Sequence, residues 1–223
     1  MKSYMNIYLC RVLWLTCAIS LVVGLTTIAT GQVMIEQERK LIVGKQQFDA
    51  KVLQVEAHRL EFQLTEPKDQ RMIMLRPELL AKLRLVPGLS YNVLTNQRQT
   101  PGGISAAVRL KDERGLYAIA ESIQDISLLL LEEREGIKVE QLPTQSRTLV
   151  YEDNCKTVYN VPTAFTIENQ RMVLQAYETK TVHIGNAGYT LFLNSSQFVI
   201  LKECPTTFEG GRSLVEYTIV RNQ

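Results

Sequence analysis

The sequence predicts an all-β protein behind an N-terminal export segment. Three observations carry that expectation. Apolar and polar residues alternate over several stretches after Gly31. Clusters of Gly, Pro, Asn, Ser and Asp separate those stretches at short, regular intervals. Only PELLAKLRL, which begins at Pro77, reads clearly as helix.

The chain opens with the export segment. Val12 to Thr30 carries no charge, and Lys2 and Arg11 precede it without any acid. A cationic start, an apolar run and a small-residue exit make a secretory signal. The exit, Ala29-Thr30-Gly31, places cleavage before Gln32. An uncleaved anchor is the alternative, because the run spans about 28 Å as a helix, near the thickness of a bilayer's hydrocarbon core. A buried core helix is a third reading. Cys17 lies inside the apolar run, which argues against its modification by lipid. With either of the first two readings everything after Gly31 is extracytoplasmic: periplasmic, cell-surface or secreted.

Charge narrows the partners. The chain of 223 residues has a formal net charge of +2. Lys2 and Arg11 account for all of it, since the acids and bases that follow Gly31 are equal in number. A neutral body lacks the footprint of a nucleic-acid binder and the polybasic patch that anionic lipid requires. The expected partner is a protein or an envelope component, with membrane contact only through the N-terminal segment if it is retained.

Val33–Lys45 is a lead-in strand or a helical turn. Phe48, Ala50, Val52 and Val55 then mark one strand, and Leu60, Phe62 and Leu64 a second, with Ala57-His58 as the tight connection. Glu66-Pro67-Lys68-Asp69 is a turn, and Met72 and Met74 mark a third strand. Pro77 suits the first helical position and Glu78 the positive helix start, with Leu79, Leu80 and Leu83 on one face. Pro87-Gly88 is a turn, and Tyr91, Val93 and Leu94 begin another strand. Over Phe48 to Thr95 this order resembles the general layout of small OB-like or SH3-like barrels. The resemblance is to a pattern and implies no ligand.

Asn96–Ser105 is polar, contains Pro101-Gly102-Gly103 and reads as a loop. Ala106–Leu110 and Leu116–Ala120 flank a hairpin turn that ends at Gly115. Ile123–Leu131 fits a helix or a buried strand. A hairpin is favoured here, because Gly136 then closes a turn before a strand Ile137–Leu142. Pro143–Ser146 is the expected linker between a barrel-like domain (32–142) and a β-sandwich-like domain (147–223). The second domain's expected strands are Thr148–Tyr151, Thr157–Val161, Ala164–Ile167, Met172–Tyr177, Thr181–Ile184, Tyr189–Leu193, Phe198–Leu201 and Leu214–Val220. Asn194-Ser195-Ser196 and Glu209-Gly210-Gly211 read as turns. Aromatics concentrate in this half, and many are tyrosines, which fill a core while keeping a polar tip wet.

Motifs for chemistry are sparse. The two histidines, His58 and His183, read as a turn residue and an outward strand residue, and no GxSxG elbow, P-loop or GxGxxG is present. No CxxC or HxxxH spacing suggests a metal, and Asp153-Asn154-Cys155 reads as a turn. No cofactor, metal or catalytic residue is assigned. Glu132, Glu133 and Glu135 form the densest acidic run and read as a solvated turn. Sugar binding loses its usual platform, because the sole tryptophan, Trp14, lies in the export segment. Cys155 and Cys204 are the two cysteines past that segment, and export favours a disulfide between them. Their spacing suits an immunoglobulin-like bridge. No tryptophan lies between them, however, and Lys202 stands where the tyrosine corner would be.

The function expected from these features is an exported, non-catalytic binding or assembly module. The alternatives are an exported hydrolase with paired carboxylates and a membrane-tethered structural subunit. A pocket holding two carboxylates of raised pKa would favour the hydrolase. An open sheet edge or an exposed aromatic patch would favour binding.

Overall fold

The computed structural model describes residues 40–100, 103–125, 131–134, 136–202 and 210–223. All of them belong to one compact unit. It is nearly all β, with one short helix and two open sheets. The proposed export segment lies outside the described residues.

The strands follow the sequence closely at first. β1 (Lys40–Leu41) and β2 (Gly44–Glu56) lead into β3 (Arg59–Leu64) and β4 (Gln70–Met74). Helix α1 (Pro77–Leu83) follows, then β5 (Ser90–Thr100), β6 (Gly103–Asp112) and β7 (Gly115–Asp125). β8 (Leu131–Arg134) and β9 (Ile137–Gln141) form the favoured hairpin, and Ile123–Asp125 lies in β7. Residues 126–130 lie outside the described residues. The rest are β10 (Thr148–Glu152), β11 (Lys156–Asn160), β12 (Thr163–Ile167), β13 (Gln170–Leu174), β14 (Thr179–Ile184), β15 (Ala187–Leu201) and β16 (Gly210–Arg221).

The larger sheet has 12 strands in the order β1-β4-β3-β2-β5-β6-β7-β16-β15-β11-β10, with β14 also on β15. The smaller has four, in the order β13-β12-β9-β8. The expected linker at Pro143–Ser146 does not separate two sheets, because β7 pairs antiparallel with β16 across that boundary. Two cores form, and they divide within single strands. On β7, Ala118 and Ala120 join the first core and Ile119 and Ile123 the second. On β16, Val220 joins the first and Val215, Tyr217 and Ile219 the second. Successive strand residues point to opposite faces, so these two strands serve one core on each side.

Helix α1 closes the first core with Leu79, Leu80 and Leu83, all buried. Pro77 stands in its first turn, and Arg84 ends it in the left-handed region at φ 51. The Tyr117 hydroxyl on β7 donates to the Leu83 carbonyl at 3.1 Å and satisfies one of the helix's orphan acceptors.

Four local expectations are overturned, each for a physical reason. Most of Asn96–Ser105 is strand and not loop, because Asn96–Thr100 pair with Gly103–Ala107 in the β5–β6 ladder. Gln97 is buried, and its Oε1 accepts from the Met74 amide at 3.1 Å. Asn194-Ser195-Ser196 lies inside β15, where a bulge between Leu193 and Ser195 absorbs the irregularity. There Ser196 is fully buried, and its Oγ accepts from Thr163 at 2.6 Å and from Gln141 Nε2 at 3.3 Å. The strand expected to reach Tyr177 stops at Leu174, and Tyr177 sits exposed in a turn at φ 70. Gly210 and Gly211 begin β16 instead of preceding it.

Candidate functional sites

Two places test enzyme against binding module. The first is a cleft of about 180 Å³ lined by His58, Arg76, Ile104, Ala106, Ser122 and Gln124, among others. Three elements build it: the β3 entry turn, the residues before α1, and the β6–β7 pair. Beneath it lies Glu216 of β16, whose side chain is only 4% exposed. The Ser122 hydroxyl donates to Glu216 Oε1 at 3.0 Å, and Arg76 Nε lies 3.2 Å from the same oxygen. Burial pushes the Glu216 carboxyl above the usual glutamate range, against the pull of Arg76 and the Ser122 hydrogen bond.

A second buried acid, Glu121, lies one residue from Ser122, yet the two acids do not form a pair. Glu216 is opposite Ser122, and Glu121 is opposite Tyr217, whose hydroxyl donates to it. Directly opposed residues share a face and adjacent residues do not, so the carboxylates point to opposite sides of the sheet. A hydrolase with two carboxylates facing one bond does not arise from these two residues.

The raised Glu216 pKa fixes a sign. Between the ordinary glutamate value of 4.5 and the raised one, the folded state holds a proton that the unfolded state has released. Stability therefore falls as pH rises through that window, by at most about 1.4 kcal/mol per pH unit. Glu216→Gln is expected to flatten the slope and to leave neutral-pH stability no lower than wild type. Denaturant melts over a pH series measure it. A slope unchanged by the substitution would assign it to other groups.

The remaining expected site residues are dispersed. His58 lies in the turn before β3, and His183 is exposed on β14, with Val182 buried beside it. Glu132 and Glu133 fall in β8 and not in a turn, while Glu135 lies outside the described residues. Asp153-Asn154-Cys155 is a turn, in which Asp153 Oδ1 accepts from the amides of Cys155 and Lys156, each at 2.7 Å. Among the described residues, no three of His, Cys, Asp and Glu gather to hold a metal ion. Cys204 lies outside the described residues, so its pairing with Cys155 remains a proposal.

The second place is the outer end of the larger sheet. β10 is its last strand, and among the described residues nothing pairs with the strand's outer edge. All five residues of β10 are exposed. Leu149, Val150 and Tyr151 are 53%, 49% and 48% exposed. With β11 and the end of β15, β10 forms a wing that belongs to neither core. Val158, Tyr159, Phe198, Val199, Ile200 and Leu201 on that wing are only half-buried. Cations frame it: Arg147 stacks over Tyr159 at 4.4 Å, and Lys156 over Tyr151 at 5.3 Å. The sequence marks Thr148–Tyr151 as a strand but carries no signal that the strand ends a sheet.

No protein-family model matches the chain, and no curated protein or solved structure shows significant similarity to it.

Proposed function

We propose that this protein is an exported, non-catalytic binding or assembly module that takes a partner strand at the β10 edge. One observation carries the reading: an edge strand that nothing pairs among the described residues, exposed at every residue, holds three large apolar side chains in succession. Such an edge is an aggregation hazard unless something covers it. Strand addition covers it by supplying main-chain hydrogen bonds and side-chain contacts together. The partner is a protein or an envelope component. The barrel-like first half and the sandwich-like second half act as scaffold, and the Cys155–Cys204 disulfide holds the wing to β15. The charge pattern of the first 31 residues supports an extracytoplasmic location.

A photo-crosslinking residue at Val150, in cells of the native host, tests the reading. A discrete adduct is expected from Val150 and none from Tyr177, which is 79% exposed but lies away from the edge. Absence of an adduct at Val150, or equal labelling from both positions, would refute binding at the edge.

A further inference from the structure

We infer that the β10 edge pairs antiparallel with the same edge of a second copy of this chain, about a two-fold axis that runs between Leu149 and Val150. The inference rests on the edge reading above and names the partner. It has two warrants, the register of β10 and the charges at its ends.

A two-fold axis normal to a sheet keeps each side chain on its own face. In an unbroken strand the faces alternate, so such an axis must pass through a residue. A bulge breaks β10: Leu149 is opposite Tyr159 and Tyr151 is opposite Val158, with Val150 as the extra residue. Directly opposed residues share a face. Leu149 and Glu152 therefore lie on the face of Tyr159 and Thr157, and Thr148 and Tyr151 on the face of Asn160 and Val158. Arg147 joins the first face, since it stacks over Tyr159. An axis through Leu149, Val150 or Tyr151 sets side chains of opposite faces against each other. An axis between Leu149 and Val150 instead sets Thr148 against Tyr151 and Arg147 against Glu152, with their faces matched. One step along, between Val150 and Tyr151, faces also match, but Leu149 then meets Glu152 and no opposite charges meet.

Arg147 and Glu152 stand at equal distances from the axis and carry opposite charges, so one pairing of the edges forms two ion pairs. Both residues are exposed. Arg147 makes no hydrogen bond among the described residues. Glu152 holds Lys202 and Thr157 through Oε1, which leaves Oε2 for Arg147 of the other copy. An edge guarded against its own kind would set like charges opposite each other. β10 does the reverse. Leu149 and Val150 of both copies meet at the axis, and each Tyr151 lies against the other copy's Thr148, so the three exposed apolar side chains of β10 cover one another. A foreign strand would have to match a shift of faces at its middle and a charge of the right sign at each end, and this chain already carries both. The edge of five residues is about 17 Å long. Such a contact is small among specific interfaces, so dimer and monomer exchange in the micromolar range.

Sedimentation velocity of the protein purified from its native host, over micromolar concentrations, should show a concentration-dependent dimer. Arg147→Glu and Glu152→Arg should each weaken self-association by at least about tenfold, because either one makes both pairs like-charged. An equimolar mixture of the two variants should dimerise as the wild type does, since both of its pairs are again opposite. Both side chains are exposed, so melting temperatures should stay unchanged. A wild-type chain that is monomeric throughout, a dimer that the single variants leave intact, or a mixture that stays monomeric would overturn the inference. In cells, the Val150 adduct should have twice the mass of the chain. An adduct of another mass would overturn the second copy and leave the edge reading standing, and no adduct would remove both.

Discussion

Replacing Phe62 or Phe165 with alanine is expected to cost about 3–5 kcal/mol each, and both losses should appear in the same unfolding transition. Phe62 is fully buried in the first core and meets Phe48 edge-on, with ring centroids 5.8 Å apart. Phe165 is fully buried in the second core and meets Tyr217 edge-on at 5.2 Å. Each truncation leaves a cavity that close-packed neighbours fill only in part. The shared transition follows from β7 and β16. Each carries residues of both cores on its two faces, so neither core can lose these strands without exposing the other. For a unit of this size the melting temperature should fall by roughly 10 °C in either variant. Scanning calorimetry decides the point. Two resolved transitions, each moved by only one of the substitutions, would show that the halves unfold separately, as a linker at Pro143–Ser146 would have it.

The sequence made the all-β class legible because most strands alternate cleanly. β3 and β9 bury alternate apolar residues, and α1 announces itself by Pro77 and the spacing of Leu79, Leu80 and Leu83. Loops were misread where polar residues are buried. Gln97 and Ser196 look like loop residues only while their hydrogen-bond partners, Met74, Gln141 and Thr163, are far away in sequence. The strand pairing across the expected linker is illegible for a related reason. Pro143–Ser146 is a genuine turn, but the pairing of Glu216 with Ser122 and of Tyr217 with Glu121 crosses it. Long-range register carries no local signature. The cleft is illegible for the same cause, since Arg76, Ser122 and Glu216 come from three separate segments. The wing was half legible. Its strands show in the sequence, whereas their place at the end of a sheet depends on everything paired before them.

Reduction of the protein is expected to lower its melting temperature by roughly 10 °C, through loss of the proposed Cys155–Cys204 bridge. β11 pairs with β15 from Lys156 opposite Leu201, and the Lys202 amide donates to the Cys155 carbonyl at 2.7 Å. Cys204 follows two residues after Lys202, and two residues of chain reach at most about 7 Å. A disulfide spans Cα atoms about 4.4–6.8 Å apart, so the geometry beside Cys155 suits the pairing. The bridge would close a loop of about 50 residues, worth roughly 4 kcal/mol in the chain-entropy account, less any native strain. The first effect should be local. The wing adds nothing to either core, so the proposed bridge would join the Lys202–Glu152 ion pair in tying β10 and β11 to the end of β15 beyond the strand ladder. Reduction should therefore speed amide exchange in β10 and β11 before it affects β7 or β16, whose opening exposes both cores. Thiol titration of the unreduced, denatured chain, after removal of its first 31 residues, is the direct test. Two reactive thiols per chain would refute the bridge and leave the wing held by its strand ladder and by contacts such as the Lys202–Glu152 ion pair.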